Sequence, residues 1–373
     1  MRKIAFLASV IGACSLVVGA GVAQARGRGV ANVVFVQTNA LTGNQVVVYD
    51  RARDGTLAEA GTYATGGDGG AAQGAAADLL ASQGSLTYDA ADSLLFAVNA
   101  GSDTVSVFDV SGDRLRLQSV LPSGGEFPAS VAVSGRLAYV LDAGGAGSLQ
   151  GFRIDGHDVY PIHGSNRSLG LANANPPNFL SSPGQVGFTP DGNQLIVTTK
   201  ASGSDIDLFR VRPNGRLNAP VVNAAATGVP FSFTFDPAGR LVSGEAASST
   251  LTTYALGADG TLSDPQSLAD GQAALCWIAS VRGYYYVANA GSANISGYSI
   301  DADGTPSFIV PGGVVGSTEA GAIDLAGSSD GRFLYAESGG AGTVDEFAVN
   351  GDGTLTKLGD VTLSPGLEGI ATS

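Results

Sequence analysis

Cysteine, lysine and histidine are scarce in this sequence of 373 residues. Its two cysteines are Cys14, within an N-terminal apolar segment, and Cys276. If that segment is removed, Cys276 remains alone, which excludes an intramolecular disulfide and leaves packing to supply the stability. Beyond the N-terminal segment no stretch is long and apolar enough to cross a bilayer, so we expect no transmembrane segment in the mature chain.

The N-terminal segment has the three parts of a secretory signal peptide. A basic start at Arg2 and Lys3 precedes the apolar run Ile4–Gly21, and Ala23-Gln24-Ala25 fits a small-x-small cleavage site. We predict a signal peptide over residues 1–25 and a protein that is secreted, periplasmic or at the cell surface. A membrane anchor is the alternative, although so many small residues make a weak spanning helix. A lipoprotein cleavage site before Cys14 leaves release and lipid anchoring both open.

The composition favours many short strands and disfavours nucleic acid as a partner. The formal charge is −14, and it becomes −16 once Arg2 and Lys3 are removed. A chain this acidic repels phosphate backbones. Glycine is abundant at 55 residues, proline is modest at 15, and 44% of residues are hydrophobic, which is typical of strands joined by tight turns.

One sequence repeat recurs through the chain, and it is the strongest indication of the fold. It consists of an apolar strand, an Asp-Gly or similar turn, an aromatic-aliphatic strand, a small-residue loop and an alternating strand. The aromatic-aliphatic strands are Phe35-Val36, Phe96–Asn99, Tyr139–Asp142, Ile196–Thr198, Leu241–Ser243, Tyr286–Asn289 and Tyr335–Glu337. Their first residues are 61, 43, 57, 45, 45 and 49 positions apart. A period near 45 is typical of one four-stranded β-propeller blade.

The two long spacings contain insertions. Residues Gly66–Gly84 form a stretch rich in glycine and alanine, and Pro161–Ser182 is rich in asparagine, serine and proline. Because the repeat resumes in phase after each, we interpret both as loops between blades. They are called the first and the second insertion below.

The chain termini set the number of blades. Each full repeat begins with an inner strand, but the segment before Phe35 has none, because the signal peptide precedes it. At the far end, Leu367–Thr372 has the pattern of that missing strand. Pairing it beside Val33–Val36 would leave no open edge. We therefore predict an all-β fold, a single seven-bladed propeller domain over residues 30–373.

The antiparallel meander of a blade sends its turns alternately to the two faces of the disc. The Asp-Gly turns all fall on one face, here called the first face. Both insertions and the ends of the second strands fall on the other, the second face. We expect six polar side chains to surround the mouth of the central channel on the second face: Asn99, Asp142, Lys200, Glu245, Asn289 and Glu337.

These residues suggest roles in either catalysis or binding. Glu245 can act as a general base, Lys200 can stabilise a developing oxyanion, and His163 or Arg167 can assist from the second insertion. Asn99, Asp142, Arg167, Asn289 and Glu337 are the candidate binding residues. Each has a structural alternative, because loop polar groups are commonly solvated or bonded to backbone and a lysine among acids is commonly an ion pair.

Familiar catalytic motifs are missing. The sequence has no serine nucleophile elbow, no zinc-ligand spacing, no phosphate-binding loop and no dinucleotide fingerprint. Cys276-Trp277 falls in an inner strand and is interpreted as core. We therefore expect neither a cofactor nor a metal ion.

Several segments resemble the lactonase-type seven-bladed propellers, a group that includes 6-phosphogluconolactonase-like and 3-carboxy-cis,cis-muconate cyclase-like proteins. They are Leu95–Ser102 with Val105–Val110, Pro190-Asp191-Gly192, and Gln272–Trp277 with Tyr286–Asn289. The resemblance covers residues 30–373. It implies opening or closing of lactone rings without a metal, by histidine, arginine and glutamate around the channel.

This chain departs from the pattern that the resemblance implies. Where similar enzymes carry a histidine before an inner strand it has Phe127–Ser130, and where they carry an arginine–histidine pair it has Pro183-Gly184-Gln185. Glu245 alone occupies a position type where the family places a carboxylate. An exported protein also meets no cytosolic sugar phosphate, which disfavours a phosphogluconolactone substrate.

Two functions therefore stand side by side. The first is a lactonase-like hydrolase or cyclase acting on a small extracellular lactone or carboxylate. The second is a non-catalytic propeller that binds a ligand, a glycan or a cell-surface partner through the second face. In either case we expect a monomer.

Overall fold

The computed structural model of the protein describes residues 32–373, so the predicted signal peptide at residues 1–25 lies outside the described residues. The described chain forms seven antiparallel sheets, six built from one repeat each and one from both ends of the chain, which confirms the predicted seven-bladed β-propeller. A short 3-10 turn at Lys200–Ser202 interrupts the strands. No helix within residues 32–373 is long and apolar enough to cross a membrane.

The strands are numbered in chain order and each blade is given from its inner strand outward. Blade 1 contains β30 (Ile370–Thr372), β1 (Val33–Gln37), β2 (Gln45–Arg51) and β3 (Leu57–Ala64). Blade 2 contains β4 (Leu86–Asp89), β5 (Leu94–Asn99), β6 (Thr104–Ser111) and β7 (Arg114–Pro122). Blade 3 contains β8 (Pro128–Ser134), β9 (Leu137–Asp142), β10 (Ser148–Asp155) and β11 (Asp158–Pro161), and β12 (Arg167–Ser168) also pairs with β10. Blades 4 and 5 contain β13 (Gln185–Phe188), β14 (Gln194–Thr198), β15 (Asp205–Val211) and β16 (Leu217–Ala224); and β17 (Pro230–Phe235), β18 (Leu241–Glu245), β19 (Thr250–Leu256) and β20 (Leu262–Ala269). Blade 6 contains β21 (Leu275–Val281), β22 (Tyr284–Asn289), β23 (Asn294–Ile300) and β24 (Pro306–Phe308), and β25 (Val314–Ser317) also pairs with β23. Blade 7 contains β26 (Ala322–Gly327), β27 (Phe333–Ser338), β28 (Thr343–Val349) and β29 (Leu355–Thr362).

The C-terminal strand closes the ring as predicted. β30 pairs antiparallel with β1, with Thr372 opposite Val34 and Ile370 opposite Val36. The regular strand is shorter than the predicted Leu367–Thr372 because a bulge at Gly369 interrupts the ladder: Gln37 N donates to Gly369 O at 2.9 Å and Glu368 N donates to Gln37 O at 3.1 Å. Gly369 has a φ of +95°, and a Cβ there would lie 2.3 Å from Ser85 Oγ. Glycine at this position therefore lets the closing segment pack directly against the start of the inner strand of blade 2.

The second strand of each blade is buried because neighbouring blades cover both of its faces. β5 is buried along its whole length, whereas the outer strand β3 alternates between half-buried and exposed positions. Phe96 of blade 2 and Phe152 of blade 3 belong to one apolar cluster, so the core lies between adjacent blades. This double coverage explains the continuous aromatic-aliphatic runs of the repeat.

Tyrosines in these runs also join neighbouring blades through hydrogen bonds. In blades 3, 6 and 7 the second-strand hydroxyl donates to the carbonyl of the turn glycine of the next blade. The pairs are Tyr139–Gly215, Tyr286–Gly353 at 2.8 Å and Tyr335–Gly55 at 2.8 Å. Each buried bond contributes about 1 kcal/mol to stability. The recurring Tyr and the recurring turn glycine are therefore two ends of one contact.

The two insertions meet above the ring axis on the second face. Gln73 N donates to Pro177 O at 2.8 Å, and Phe179 N donates to Gln73 O at 3.1 Å. The first insertion then enters the channel, where Gln83 Nε2 donates to Ile278 O at 2.8 Å and Gln83 N donates to Gly184 O at 2.9 Å. Gln83 thus bonds blades 4 and 6 at once, and the channel is plugged at this level.

Candidate functional site

Four of the predicted site residues end second strands and are fully buried: Asn99, Asp142, Glu245 and Asn289. Their side chains bond to the turn or third strand that follows. Asn99 Nδ2 donates to Thr104 Oγ1 at 3.0 Å and Ser106 Oγ at 2.8 Å, and Asn289 makes the equivalent pair of bonds with Asn294 and Ser296, both at 2.9 Å. Asp142 accepts from Ser148 Oγ at 3.2 Å. These positions fasten the hairpin ends of their blades.

Glu245 is held by blade 5 and the crossing that leads into it. Its Oε2 accepts from Thr227 N at 2.5 Å and from Thr227 Oγ1 at 2.6 Å, and its Oε1 accepts from the Tyr254 hydroxyl. Burial, and then the charge of Glu245, raises the pKa of Tyr254. Both carboxylate oxygens are therefore occupied by protein donors, and the general-base role of Glu245 stays a prediction.

Lys200 lies beneath the two insertions and bonds to both. Its Nζ donates to Ala81 O at 2.5 Å in the first insertion, and to Phe179 O at 2.7 Å and Ser182 Oγ at 2.9 Å in the second. The ammonium also lies 4.9 Å from the ring centroid of Phe231. Burial lowers the pKa of Lys200 to about 8, although nearby acids, Asp78 first, oppose the shift. Lys200 is thus a clamp between the insertions.

The backbone of Lys200 shows how firmly this clamp is fixed. Its φ is +47°, in the left-handed region that costs a non-glycine residue about 1 kcal/mol or more. Such a conformation persists only where the surroundings determine it. Here the three hydrogen-bond acceptors of the Lys200 ammonium and the ring of Phe231 hold the residue in this conformation.

Glu337 points the opposite way from the four strand-end residues because it lies one position earlier in its strand. Ser338, not Glu337, pairs with the first residue of the third strand, and adjacent strand residues face opposite sides. Glu337 is fully buried, its Oε2 accepts from Gly369 N at 2.9 Å, and its Oε1 has no partner among the described residues. Burial, and then Asp324, raises the pKa of Glu337 well above its usual value.

Asp78 and Glu368 form a carboxyl pair on the axis. Asp78 is in the first insertion and Glu368 is in the segment that precedes β30, and the two carboxyl groups lie within hydrogen-bonding reach of each other. Glu368 Oε1 accepts from Leu79 N and from Leu80 N at 3.1 Å, and Asp78 Oδ1 accepts from Ala81 N at 2.6 Å. The pair is therefore bound into the base of the first insertion.

The surroundings of Asp78 and Glu368 raise the pKa values of the two carboxyl groups to different extents. Burial raises the pKa of Asp78 to about 6, against the lowering effects of its hydrogen bond with Glu368 and of Lys200. Burial, and then the charge of Asp78, raises the pKa of Glu368 well above its usual value. Asp78 is therefore the stronger acid of the pair and Glu368 the weaker one. Two carboxyl groups with separated pKa values are the usual arrangement for a base and an acid in one site.

Another carboxyl group, that of Asp324, lies on the other side of the plug. Asp324 lines a cavity of about 290 Å³ together with Gln83, Thr87, Gln185 and residues of β30. Burial raises the pKa of Asp324 to about 7. The cavity's amides are already engaged, since Gln83 bonds Ile278 and Gln185 bonds Phe233. Within residues 32–373 no group of three or more His, Cys, Asp or Glu side chains is arranged to hold a metal ion.

His163 and Arg167 lie away from the axis, at the junction of blades 3 and 4. The carbonyl of the exposed His163 accepts from Arg216 Nε at 3.2 Å and Nη2 at 2.6 Å. Arg167 lines a small cavity with Arg212 and Arg216. Among the described residues, Lys200, Glu245 and His163 share no hydrogen-bond partner. Their catalytic roles, and the binding roles of the other five residues, stay predictions.

Asp78 and Glu368 escaped the sequence analysis although each carries a weak signal. Asp78-Leu79-Leu80 is the only acidic and bulky apolar group in the otherwise small-residue stretch from Gly69 to Gly84, and Glu368 is the only charged residue of the closing segment 367–372. Cys276 and Trp277 are buried as predicted, and Trp277 Nε1 donates to Ser82 O at 3.0 Å. The inner strand of blade 6 therefore also supports the plug.

The fold is that of the lactonase-type seven-bladed propellers. The periplasmic gluconolactonase of Pseudomonas aeruginosa superposes with a TM-score of 0.72 at 17% identity, over 91% of this chain and 98% of that one. A protein from Bacteroides uniformis provisionally assigned as a 6-phosphogluconolactonase gives 0.71 at 16% identity, over 92% and 100%. Virginiamycin B lyase from Staphylococcus aureus gives 0.52 at 13% identity, over 74% and 83%.

These likenesses establish the architecture and not the reaction, because a lyase and a lactonase both use it. No protein-family profile matches the chain, and no curated protein sequence matches it. The resemblance predicted from the sequence is thus confirmed for the fold.

Proposed function

We propose that the protein is an exported lactonase-like hydrolase of a small lactone, with Asp78 and Glu368 as its base and acid. The observation that carries the proposal is the axial carboxyl pair, two acids within hydrogen-bonding reach whose pKa values burial raises to different extents. The propeller fold shared with a periplasmic gluconolactonase supports the substrate class.

The chemistry follows from these protonation states. The Asp78 carboxylate takes a proton from water as the water oxygen attacks the lactone carbonyl. Collapse of the tetrahedral intermediate breaks the bond to the ring oxygen, and the Glu368 carboxylic acid gives its proton to that oxygen. The product is a hydroxy acid, and proton exchange with solvent restores both groups. Lys200 acts as a positioning residue, since its ammonium donates its three hydrogen bonds to the two insertions.

The route to the pair is a groove between blades 7 and 1 on the second face. The groove has a volume of about 540 Å³ and is lined by the loop Thr38–Leu41, by Leu79 and by Leu363–Gly366. This volume is within the range of small-molecule sites. Leu79 separates the groove from Glu368, to which its own N–H donates. A shift of the Leu79 side chain would expose the pair to a bound lactone.

The test is hydrolysis of a lactone panel that begins with D-glucono-δ-lactone. We expect Asp78→Asn and Glu368→Gln to lower kcat/KM by about 100-fold or more, the usual loss for an acid–base group. Glu319→Gln, which removes an exposed carboxylate from the same face, is the matched control and keeps wild-type turnover. Equal turnover by wild type and both axial variants would contradict the assignment. Loss of activity in Glu245→Gln alone would favour the role predicted from the sequence instead.

Binding without catalysis is the second candidate function. It is favoured by the pairing of the two insertions above the axis and by the full engagement of Glu245 with protein donors. If wild type hydrolyses no lactone of the panel but binds one by calorimetry, the second face serves recognition.

A further inference from the structure

The junction of blades 3 and 4 gathers positive charge on an acidic protein. A cavity of about 230 Å³ there is lined by Arg167, Arg212 and Arg216 together with residues 164–166 and Leu217. Arg210 and Arg212 line a neighbouring cavity on the same outer surface. The whole chain has a formal charge of −14, so this cluster of arginines is a positive patch on a protein that is negative overall.

The guanidinium of Arg216 is held in place from behind. Its Nε and Nη2 both donate to His163 O, at 3.2 and 2.6 Å. Gly164 has a φ of +67°, and a Cβ there would lie 2.9 Å from Arg216 Nη2, so the guanidinium rests directly on a bare backbone. Arg212 is fixed by a bond from its Nε to Asn218. Both arginines are thus oriented before any ligand arrives.

The three arginines of the cavity lack acidic partners. Among the described residues no carboxylate oxygen lies within 4.0 Å of their guanidinium groups, whereas Arg51, Arg136 and Arg240 each pair with an aspartate. Three like charges around one cavity repel one another, and an anion between them relieves that repulsion. Guanidinium groups present paired N–H donors that match the oxygens of a phosphate or a carboxylate.

We propose that this cavity binds the oxyanion of a small ligand, as the phosphate of a sugar phosphate or the carboxylate of a sugar acid. The site lies at the rim of the ring and does not depend on the reaction proposed at the axis. Gly164, Arg212 and Arg216 are its specific recognition elements, and Arg167 adds charge.

Titration calorimetry at low ionic strength with inorganic phosphate and, separately, with D-glucuronate tests the site. We expect at least one probe to bind, and Arg216→Ala and Arg212→Gln each to weaken it about 10-fold, as the loss of one charge-assisted contact implies. Arg216→Lys keeps the charge but loses the planar donor pair, so it falls between wild type and Arg216→Ala. Arg114→Ala, an exposed arginine of blade 2, is the control and binds as wild type does.

The two probes separate the sources of the oxyanion. Tighter phosphate binding assigns the site to a phosphate ester, and tighter glucuronate binding assigns it to a sugar acid. Failure of both probes to bind wild type, or binding that is unchanged in Arg216→Ala and Arg212→Gln, would overturn the proposal. Because Arg212 is exposed, its substitution tests the site without disturbing the core.

Discussion

The axis and the rim of this propeller both collect charge of one sign, but they accommodate it differently. On the axis, Asp324, Glu337 and Glu368 are buried and Asp78 is half-buried, and loss of hydration raises the pKa of each. At the rim, the guanidinium groups of Arg212 and Arg216 are exposed to water. The axial groups therefore meet like charge with raised pKa values, whereas the rim arginines leave it to be screened by solvent or by the proposed ligand.

The largest expected effect comes from removing the segment that builds the axis. Deletion of residues 367–373 removes β30, the fully buried Leu367 and Glu368, and leaves β1 as an open edge. We expect the free energy of unfolding to fall by more than about 5 kcal/mol, since burial of Leu367 and Ile370 alone contributes about 2–4 kcal/mol each. Urea unfolding measures it, with a chain lacking only residues 1–25 as control. A truncated protein that melts like the full one would refute ring closure by β30.

Next in size is the loss of the clamp between the insertions. Lys200→Met leaves the acceptors Ala81 O, Phe179 O and Ser182 Oγ without their shared donor. We expect a destabilisation of about 3–5 kcal/mol in urea unfolding, as for breaking a buried charged network. The matched control, Arg114→Met, removes an exposed cation and changes little. A loss below about 1 kcal/mol for Lys200→Met would mean that the insertions do not depend on the clamp.

The protonation of the axis gives a prediction with a defined sign. Because the pKa of Glu337 is raised in the folded state, that state holds more protons than the unfolded one, and stability falls as pH rises above the unfolded value. Glu337→Gln cannot titrate, so we expect it to be more stable than wild type near pH 7 and to match it near pH 4. Melting curves between these limits measure the difference, below the range in which Lys200 titrates.

The control for that experiment is Glu319→Gln, which removes an exposed carboxylate and is expected to follow the wild-type pH dependence. Parallel curves for wild type and Glu337→Gln would contradict a protonated Glu337.

The smallest effect on stability is expected at the rim. Arg212 is exposed and, among the described residues, its side chain donates one hydrogen bond, to Asn218, so Arg212→Gln should change the free energy of unfolding by less than about 0.5 kcal/mol. Urea unfolding of this variant beside Lys200→Met gives the contrast directly. A large loss at Arg212 would mean that the rim arginines support the fold instead of standing ready for a ligand.

The repeat in the sequence was sufficient to predict the blades, because packing between blades imposes the same pattern seven times. Tyr139, Tyr286 and Tyr335 recur since each meets the turn glycine of the next blade. The closing strand was predictable for the same reason. Its extent was not, because the bulge at Gly369 interrupts the regular pairing with β1 before Leu367 is reached.

The site was harder to predict because its contacts are not periodic. Asp78 comes from an insertion without a repeat pattern, and its partner Glu368 comes from the opposite end of the chain. Glu337 and Ser338 differ by a single position, yet that step decides which side chain faces the axis. Asn99 and Glu245 have the polarity of site residues, but only the structure shows that their side chains form hydrogen bonds with other groups of the fold.

The pH dependence of lactone hydrolysis by the wild-type protein tests the axial acid–base pair most directly. With the uncatalysed rate subtracted, kcat/KM for D-glucono-δ-lactone should rise as Asp78 loses its proton at a pKa of about 6, and should stay high while Glu368 keeps its own. In Asp78→Asn this rise should vanish. A wild-type profile that is flat between about pH 5 and about pH 7, or a rise that survives in Asp78→Asn, would contradict the account.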